Sequence, residues 1–141
     1  MKLSTRARYG VRFMTALACA NGDELVFLKD IAASEEISEK YLSLIVIPLR
    51  TAGLIKSRRG AHGGYYLTNK PEEISLRSIV EALEGEISLV DCVKKPSGCQ
   101  RSPICPARDI WSALGSKISE TLNNIPLSQL AQTRINKIKH E

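Results

Sequence analysis

A mainly α fold with a small β-hairpin, a winged helix-turn-helix followed by a long C-terminal helix, is predicted by three observations. Apolar residues recur at helical spacing over most of the chain. One Gly-rich basic segment, Arg58-Arg59-Gly60-Ala61-His62-Gly63-Gly64, separates two short strand-like runs. The net charge of +5 sits wholly in the first half, where residues 1–70 hold eleven Lys and Arg against six Asp and Glu, while residues 71–141 hold nine against nine.

A chain of 141 residues, 43% apolar and 25% charged, can bury one core of ordinary size. That balance argues against a disordered, collagen-like or purely coiled-coil chain. No run of eighteen apolar residues occurs, so no membrane span is expected. Met1 to Tyr9 is polar with three basic residues, and neither an unbroken apolar stretch nor a small-residue cleavage site follows. The expectation is a cytoplasmic protein without a secretory signal. An enzyme is not expected, because no paired carboxylates, nucleophile-base set or phosphate loop appears, and His62 and His140 fall in a turn and a tail.

From Ser4 to Ala20, Ala7, Val11, Met14 and Ala18 repeat at helical spacing with Phe13 and Leu17, and Asn21-Gly22 supplies a stop. Cys19 lies on this apolar helix, where a packing role is expected. A short segment, Lys29 to Glu35, offers Ile31 and Ala32. Ser38 then precedes a run with Leu42, Ile45 and Leu49 that ends at Ala52-Gly53, with the N-cap and stop residues in their favoured places. Two helices joined so tightly make a helix-turn-helix candidate. Pro48 predicts a kink near Leu44 or a last turn that packs separately, since proline lacks the backbone donor. Leu54 to Ser57 and Tyr65 to Thr68 read as the strands of the hairpin.

These parts suit DNA. Ser38, Lys40, Tyr41 and Ser43 lie early in the second helix of the pair, where hydroxyls and an ammonium can face base edges and phosphates in the major groove. Arg58, Arg59 and His62 at the hairpin tip can enter the adjacent minor groove, whose width and potential arginine senses. Ser4 and Arg6 join these DNA-binding candidates.

In the neutral half, Ser75 caps a helix with Leu76, Ile79, Val80 and Leu83, stopped by Gly85. The segment Asp91 to Pro106 follows, carrying Cys92, Cys99 and Cys105 with gaps of six and five residues among Pro, Ser and Gly. An odd triple in a reduced compartment does not read as disulfides. Three thiolates suit an iron-sulfur cluster, zinc or copper(I), and redox thiols or no site stay open. From Ala107 to Asn123, Ile110, Leu114, Ile118 and Leu122 form a stripe with Trp111 beside it. That stripe needs a partner surface, either a second copy or the chain's own first domain. Leu127 to Leu130 reads as a short docking helix, and Arg134 to Glu141 as a frayed end.

Met1-Lys2-Leu3-Ser4, Ile37-Ser38 through Tyr41-Leu42, Leu49-Arg50, Gly53-Leu54, Arg59-Gly60 with Gly63-Gly64-Tyr65, and the cysteine triple together resemble one family. It is the winged-helix transcription regulators typified by the bacterial iron-sulfur cluster regulator, with nitric-oxide-sensing and cysteine-metabolism repressors as relatives. The resemblance covers nearly the whole chain. It implies a homodimer paired through the long C-terminal helix and bound to double-stranded DNA at a partly palindromic operator. It also implies a two-iron or four-iron cluster held by Cys92, Cys99 and Cys105, a base-reading helix from Ser38 to Thr51, and Arg59 as the minor-groove arginine. The sequence departs from the pattern where the fourth ligand should be. Arg108 replaces the histidine of the iron-sulfur cluster regulator, and Arg8 stands where the nitric-oxide sensor has an acidic residue. Arginine cannot coordinate iron. Asp91, Asp109, a small thiol or water are the alternatives.

The leading expectation is a homodimeric DNA-binding regulator that senses iron-sulfur supply, oxidants or nitric oxide through a cluster. A cluster-free or zinc-holding thiol regulator is the alternative, and a small iron-sulfur electron carrier a remote one. The expected organisation is a DNA-binding winged helix over 1–85, a cysteine loop over 86–106, a dimerisation helix and short docking helix over 107–130, and a flexible tail over 131–141.

Overall fold

Three serines fix three helix starts by accepting the backbone N–H groups that a first turn leaves free. Ser4 Oγ accepts from Ala7 N at 3.0 Å and opens α1, Thr5–Cys19. Ser38 Oγ accepts from Tyr41 N at 3.2 Å and opens α3, Glu39–Thr51. Ser75 Oγ accepts from Ser78 N at 3.1 Å and opens α4, Leu76–Glu84, which ends at Gly85 with φ 82°. Between the first two lies α2, Leu28–Glu35. The computed structural model describes residues 2–20, 24–61 and 63–141. The expected stop at Asn21-Gly22 and the expected tip residue His62 therefore lie outside the described residues.

The hairpin follows α3 directly. Strand β1, Ile55–Arg58, pairs antiparallel with β2, Gly64–Leu67, in the register Ile55 with Leu67 and Arg58 with Gly64. Both strands are shifted from the sequence reading, so Arg58 ends a strand and Arg59 begins the tip. Val26 adds a third edge: its N–H donates to the Tyr65 carbonyl at 3.0 Å, and Tyr65 N–H donates back at 2.9 Å. Gly64 is required there, because a Cβ would stand 2.9 Å from the Val26 carbonyl oxygen at a φ of 154°.

The core gathers between α1, α3, α4 and the hairpin. Phe13, Met14, Leu42, Ile45, Leu49, Ile55 and Ile79 are at most 1% exposed. Helices α1 and α4 cross closely at Gly10, where an added Cβ would meet Leu83 Cδ1 at 2.1 Å. Helix α3 runs unbroken through Pro48, so its last turn is not a separate piece. The Leu44 carbonyl, left without a helical donor, belongs to a residue 57% exposed, and water can serve it.

Beyond α4 the neutral half continues with a short helix α5, Asp91–Lys94, and two single 3-10 turns, Pro96–Gly98 and Ser102–Ile104. Helix α6, Pro106–Asn123, follows, and α7 spans Leu127–Lys139. The last helix corrects the sequence reading in length and role, since residues 131–139 continue it where a loose tail was expected. Its start is tied by backbone, with Leu127 N–H donating to Ile74 O and Leu76 N–H to Ile125 O, each at 2.8 Å. Leu127 is fully buried, and Ala131 is 6% exposed against the first domain.

One ion-pair cluster completes this docking. The Glu35 side chain, 8% exposed at the end of α2, accepts from Arg12 Nε of α1 at 3.0 Å and pairs with Arg134 Nη1 of α7. Arg12 also donates to the Glu35 carbonyl. Arg12 and Arg134 are 44% and 30% exposed and regain water when Glu35 is removed, so Glu35→Ala is expected to cost about 1 kcal/mol in urea unfolding. Arg134→Ala, which leaves the buried carboxylate short of a partner, is expected to cost more. Deleting residues 131–141 is expected to lower the urea midpoint clearly, and an unchanged midpoint would show that the segment is a tail after all.

Candidate nucleic-acid interface and cysteine loop

Leu42, Ile45, Val46 and Leu49 turn one face of α3 into the core, so Lys40, Ser43, Leu44, Ile47, Arg50 and Thr51 face solvent. The four candidates chosen from sequence divide by what they touch. Ser38 caps the helix. Tyr41 packs edge-on against Tyr9 with ring centroids 5.8 Å apart, which places its ring between α1 and α3. Ser43 Oγ donates to the Lys40 carbonyl at 2.5 Å. Lys40 alone of the four extends freely from the exposed face.

The sequence reading did not single out Leu44, Ile47 and Arg50 as site candidates, although they share this exposed face. The signal was present, because the apolar positions that define the core face also define its opposite. Arg50 Nη1 lies 3.5 Å from Ser57 Oγ, joining the end of α3 to β1. Arg58 and Arg59 are exposed at the end of β1 and the start of the tip. At the N-terminus, Ser4 is occupied twice: its Oγ caps α1, and its N–H donates to Glu84 Oε1 at 2.8 Å. Arg6 is exposed and shares a cleft with Tyr41, Leu44, Ile47 and Pro48. Cations from α1, α3 and the hairpin are thus presented around a protruding helix, the electrostatic requirement for a polyanion.

The cysteine loop is placed but not assembled. Cys92 and Cys105 are half-buried, Cys99 is exposed, and all are free thiols. Among the described residues, no three His, Cys, Asp or Glu side chains come together in a group that could hold a metal ion. Three thiols match a cluster by donor chemistry, and the loop would have to close to bring them onto one centre. Arg108 does not point idly into solvent. Its Nε donates to the Cys92 carbonyl at 3.0 Å, pinning the start of the loop to α6. Ser102 Oγ is buried nearby with no protein partner, in a pocket lined also by Cys99 and Arg108.

On α6 the apolar stripe is split. Ile110, Trp111 and Leu114 are 57%, 41% and 45% exposed, while Ile118 and Leu122 are half-buried. Cys19 sits between α1 and α7, its Sγ 3.8 Å from the Ala131 carbonyl. Burial pushes its thiol above the ordinary value, the Arg134 guanidinium pulls against that rise, and the Glu35 carboxylate adds to it.

A hairpin behind a helix-turn-helix, with exposed cations on both, defines the winged-helix class of DNA-binding proteins. The chain belongs to the Rrf2 family of DNA-binding transcription regulators: the family model, described as "Iron-dependent Transcriptional regulator", matches residues 3–133. Protein rrf2 of Nitratidesulfovibrio vulgaris is 40% identical over 130 residues, 92% of this chain and 87% of that one. The HTH-type transcriptional regulator IscR of Aliivibrio salmonicida is 37% identical over 130 residues, 92% of this chain and 77% of its own. The solved structure of CymR, the global cysteine regulator of Bacillus subtilis, superposes with a TM-score of 0.78 at 38% identity, covering 94% of this chain and 98% of that one. IscR and CymR are named as regulators, not enzymes. No helix among the described residues is long and apolar enough to cross a membrane.

Two outcomes follow from the placement. Arg59→Ala is expected to weaken binding to an operator duplex by about 1–3 kcal/mol, with Lys139→Ala in the last turn of α7 changing little. Equal effects in a fluorescence titration would remove the hairpin from the interface. Thiolate is the reactive form, so Cys19, half-buried and with its thiol pushed up, should alkylate more slowly than the exposed Cys99 near neutral pH. The Cys19 rate should go on rising with pH beyond the ordinary thiol value, about 8.5, before it levels off. Peptide mass spectrometry after timed iodoacetamide exposure reads both.

Proposed function

We propose that the protein is a homodimeric transcription regulator that grips a partly palindromic operator with α3 and the hairpin, and that Cys92, Cys99 and Cys105 form its sensory element by holding an iron-sulfur cluster. The observation that carries the sensor is the donor set. Three cysteines share one irregular segment that leads into the helix carrying the exposed apolar stripe. The family's description as iron-dependent supports the same reading. Bound there, a cluster would supply a centre sensitive to oxidants, nitric oxide or iron-sulfur supply. The chain's own part is to close the loop around it, with Arg108 fixing the backbone at Cys92 and Asp91 or Asp109 available as oxygen donors.

Dimerisation rests on α6. Ile110, Trp111 and Leu114 are too large and too close together to stay in water, and a two-fold pairing would cover them. Read this way, residues 1–85 bind DNA, 86–106 sense, and α6 pairs the copies. Trp111→Glu with Leu114→Glu is expected to convert a dimer to a monomer in sedimentation.

A second reading is a cluster-free or zinc-holding thiol regulator. It is favoured by the failure of three donors to converge among the described residues and by the likeness to CymR. Anaerobic purification with iron, sulfide and zinc analysis separates the two. Brown protein that loses iron in Cys92→Ala, Cys99→Ala and Cys105→Ala but keeps it in Cys19→Ala supports the cluster. Colourless wild-type protein whose DNA affinity still responds to thiol oxidants selects the second reading.

A further inference from the structure

The outward face of α3 has an uncommon chemistry for a surface that meets DNA. Lys40, Ser43, Leu44, Ile47 and Thr51 lie opposite Leu42, Ile45 and Leu49, because positions three, four and seven apart share a helix face. Two large aliphatic side chains occupy its middle, Leu44 at 57% and Ile47 at 50% exposure. The two hydroxyls beside them are turned back onto the helix. Ser43 Oγ donates to the Lys40 carbonyl at 2.5 Å, and Thr51 Oγ1 donates to the Ile47 carbonyl at 2.9 Å. The centre of the face therefore offers methyl groups and no free donor.

Charge around this patch decides what can cover it. Lys40 stands on the face, Arg6 flanks the cleft beside Leu44, and Arg50 extends toward β1. A second copy pressed against the same patch would bring like charges together, and the copies have a separate apolar strip on α6. Nucleic acid complements the cations and narrows the choice further. Most groups on a base-pair edge in the major groove are donors or acceptors, which would lose water against leucine and isoleucine without gaining a partner. The exception is the thymine C5-methyl group.

We propose that Leu44 and Ile47 read thymine methyl groups, so that this protein selects operators carrying thymines where the middle of α3 enters the major groove. This rests on α3 being the reading helix, as proposed above. Lys40 and Arg50 set the depth and register of the helix by their phosphate contacts. The aliphatic pair supplies the sequence preference.

The test uses the full-length protein and a duplex enriched by it from a random-sequence pool. Each thymine of a half-site is replaced in turn by deoxyuridine, which pairs identically but lacks the methyl group. Wild-type protein is expected to lose about fourfold in affinity at each contacted position. Leu44→Ala and Ile47→Ala should each bind the thymine and uracil duplexes equally at one such position, and Lys40→Ala should weaken both duplexes alike. Both aliphatic residues are exposed, so these variants should keep the wild-type unfolding midpoint, checked by circular dichroism. Uracil duplexes bound as tightly as thymine ones, or a thymine preference retained in both aliphatic variants, would overturn the proposal while leaving the reading helix in place. Failure of the protein to enrich any duplex would instead overturn the DNA reading of α3 itself, and the proposal with it.

Discussion

The Glu35 carboxylate, 8% exposed at the end of α2, is held by guanidiniums from two other helices, Arg12 of α1 and Arg134 of α7. A carboxylate so placed is tolerable only while both cations remain, so α1, α2 and α7 keep one mutual arrangement. The next residue, Glu36, takes φ 54° in the left-handed region, and Ile37 N–H donates to the Ala32 carbonyl at 3.0 Å. That closes the turn between α2 and α3. The direction in which α3 leaves the domain is thereby coupled to α7, the element most distant in sequence. Cys19, half-buried at the end of α1, faces α7 across the same junction.

With the frame fixed, the outward surface follows from what the core consumes. Four apolar positions of α3 are spent inside, the Ser38 hydroxyl on the cap, and the Tyr41 ring against Tyr9. What remains outward is a cationic rim around Leu44 and Ile47. The family binds DNA, and this is the surface proposed to meet it. The neutral half is built on a different principle: α6 exposes large apolar side chains, and the thiols before it stand apart. On the proposed reading, one half meets DNA and the other meets a second copy and a signal.

Much of this was legible in the sequence because it was local. Ser4, Ser38 and Ser75 marked helix starts, glycines marked the hairpin, and the charge split separated the halves. The third sheet edge was not legible, since Val26 contributes a single bridge with no strand pattern around it. The length of α7 was missed because its anchors, Glu35 and Ile74, lie far away in sequence. Arg134 looks like a solvated charge until its partner is known. Among the site residues, Ser38, Tyr41 and Ser43 were chosen by side-chain chemistry, and the structure shows how a helix occupies such groups itself. Leu44 and Ile47 were passed over for the opposite reason, since an aliphatic residue in a periodic run reads as core until the angular position of each is counted.

The outward face of α3, the hairpin from Arg58 and the N-terminal turn at Arg6 are proposed to form one surface that meets DNA while α6 faces elsewhere. Amide chemical-shift mapping of the isotopically labelled protein during titration with a duplex tests this directly. Large perturbations are expected at Lys40, Leu44, Ile47, Arg59 and Arg6, with the resonances of Ile110 to Leu114 unmoved. Perturbations centred on α6 or on the cysteine loop, with α3 silent, would contradict this placement of the interface.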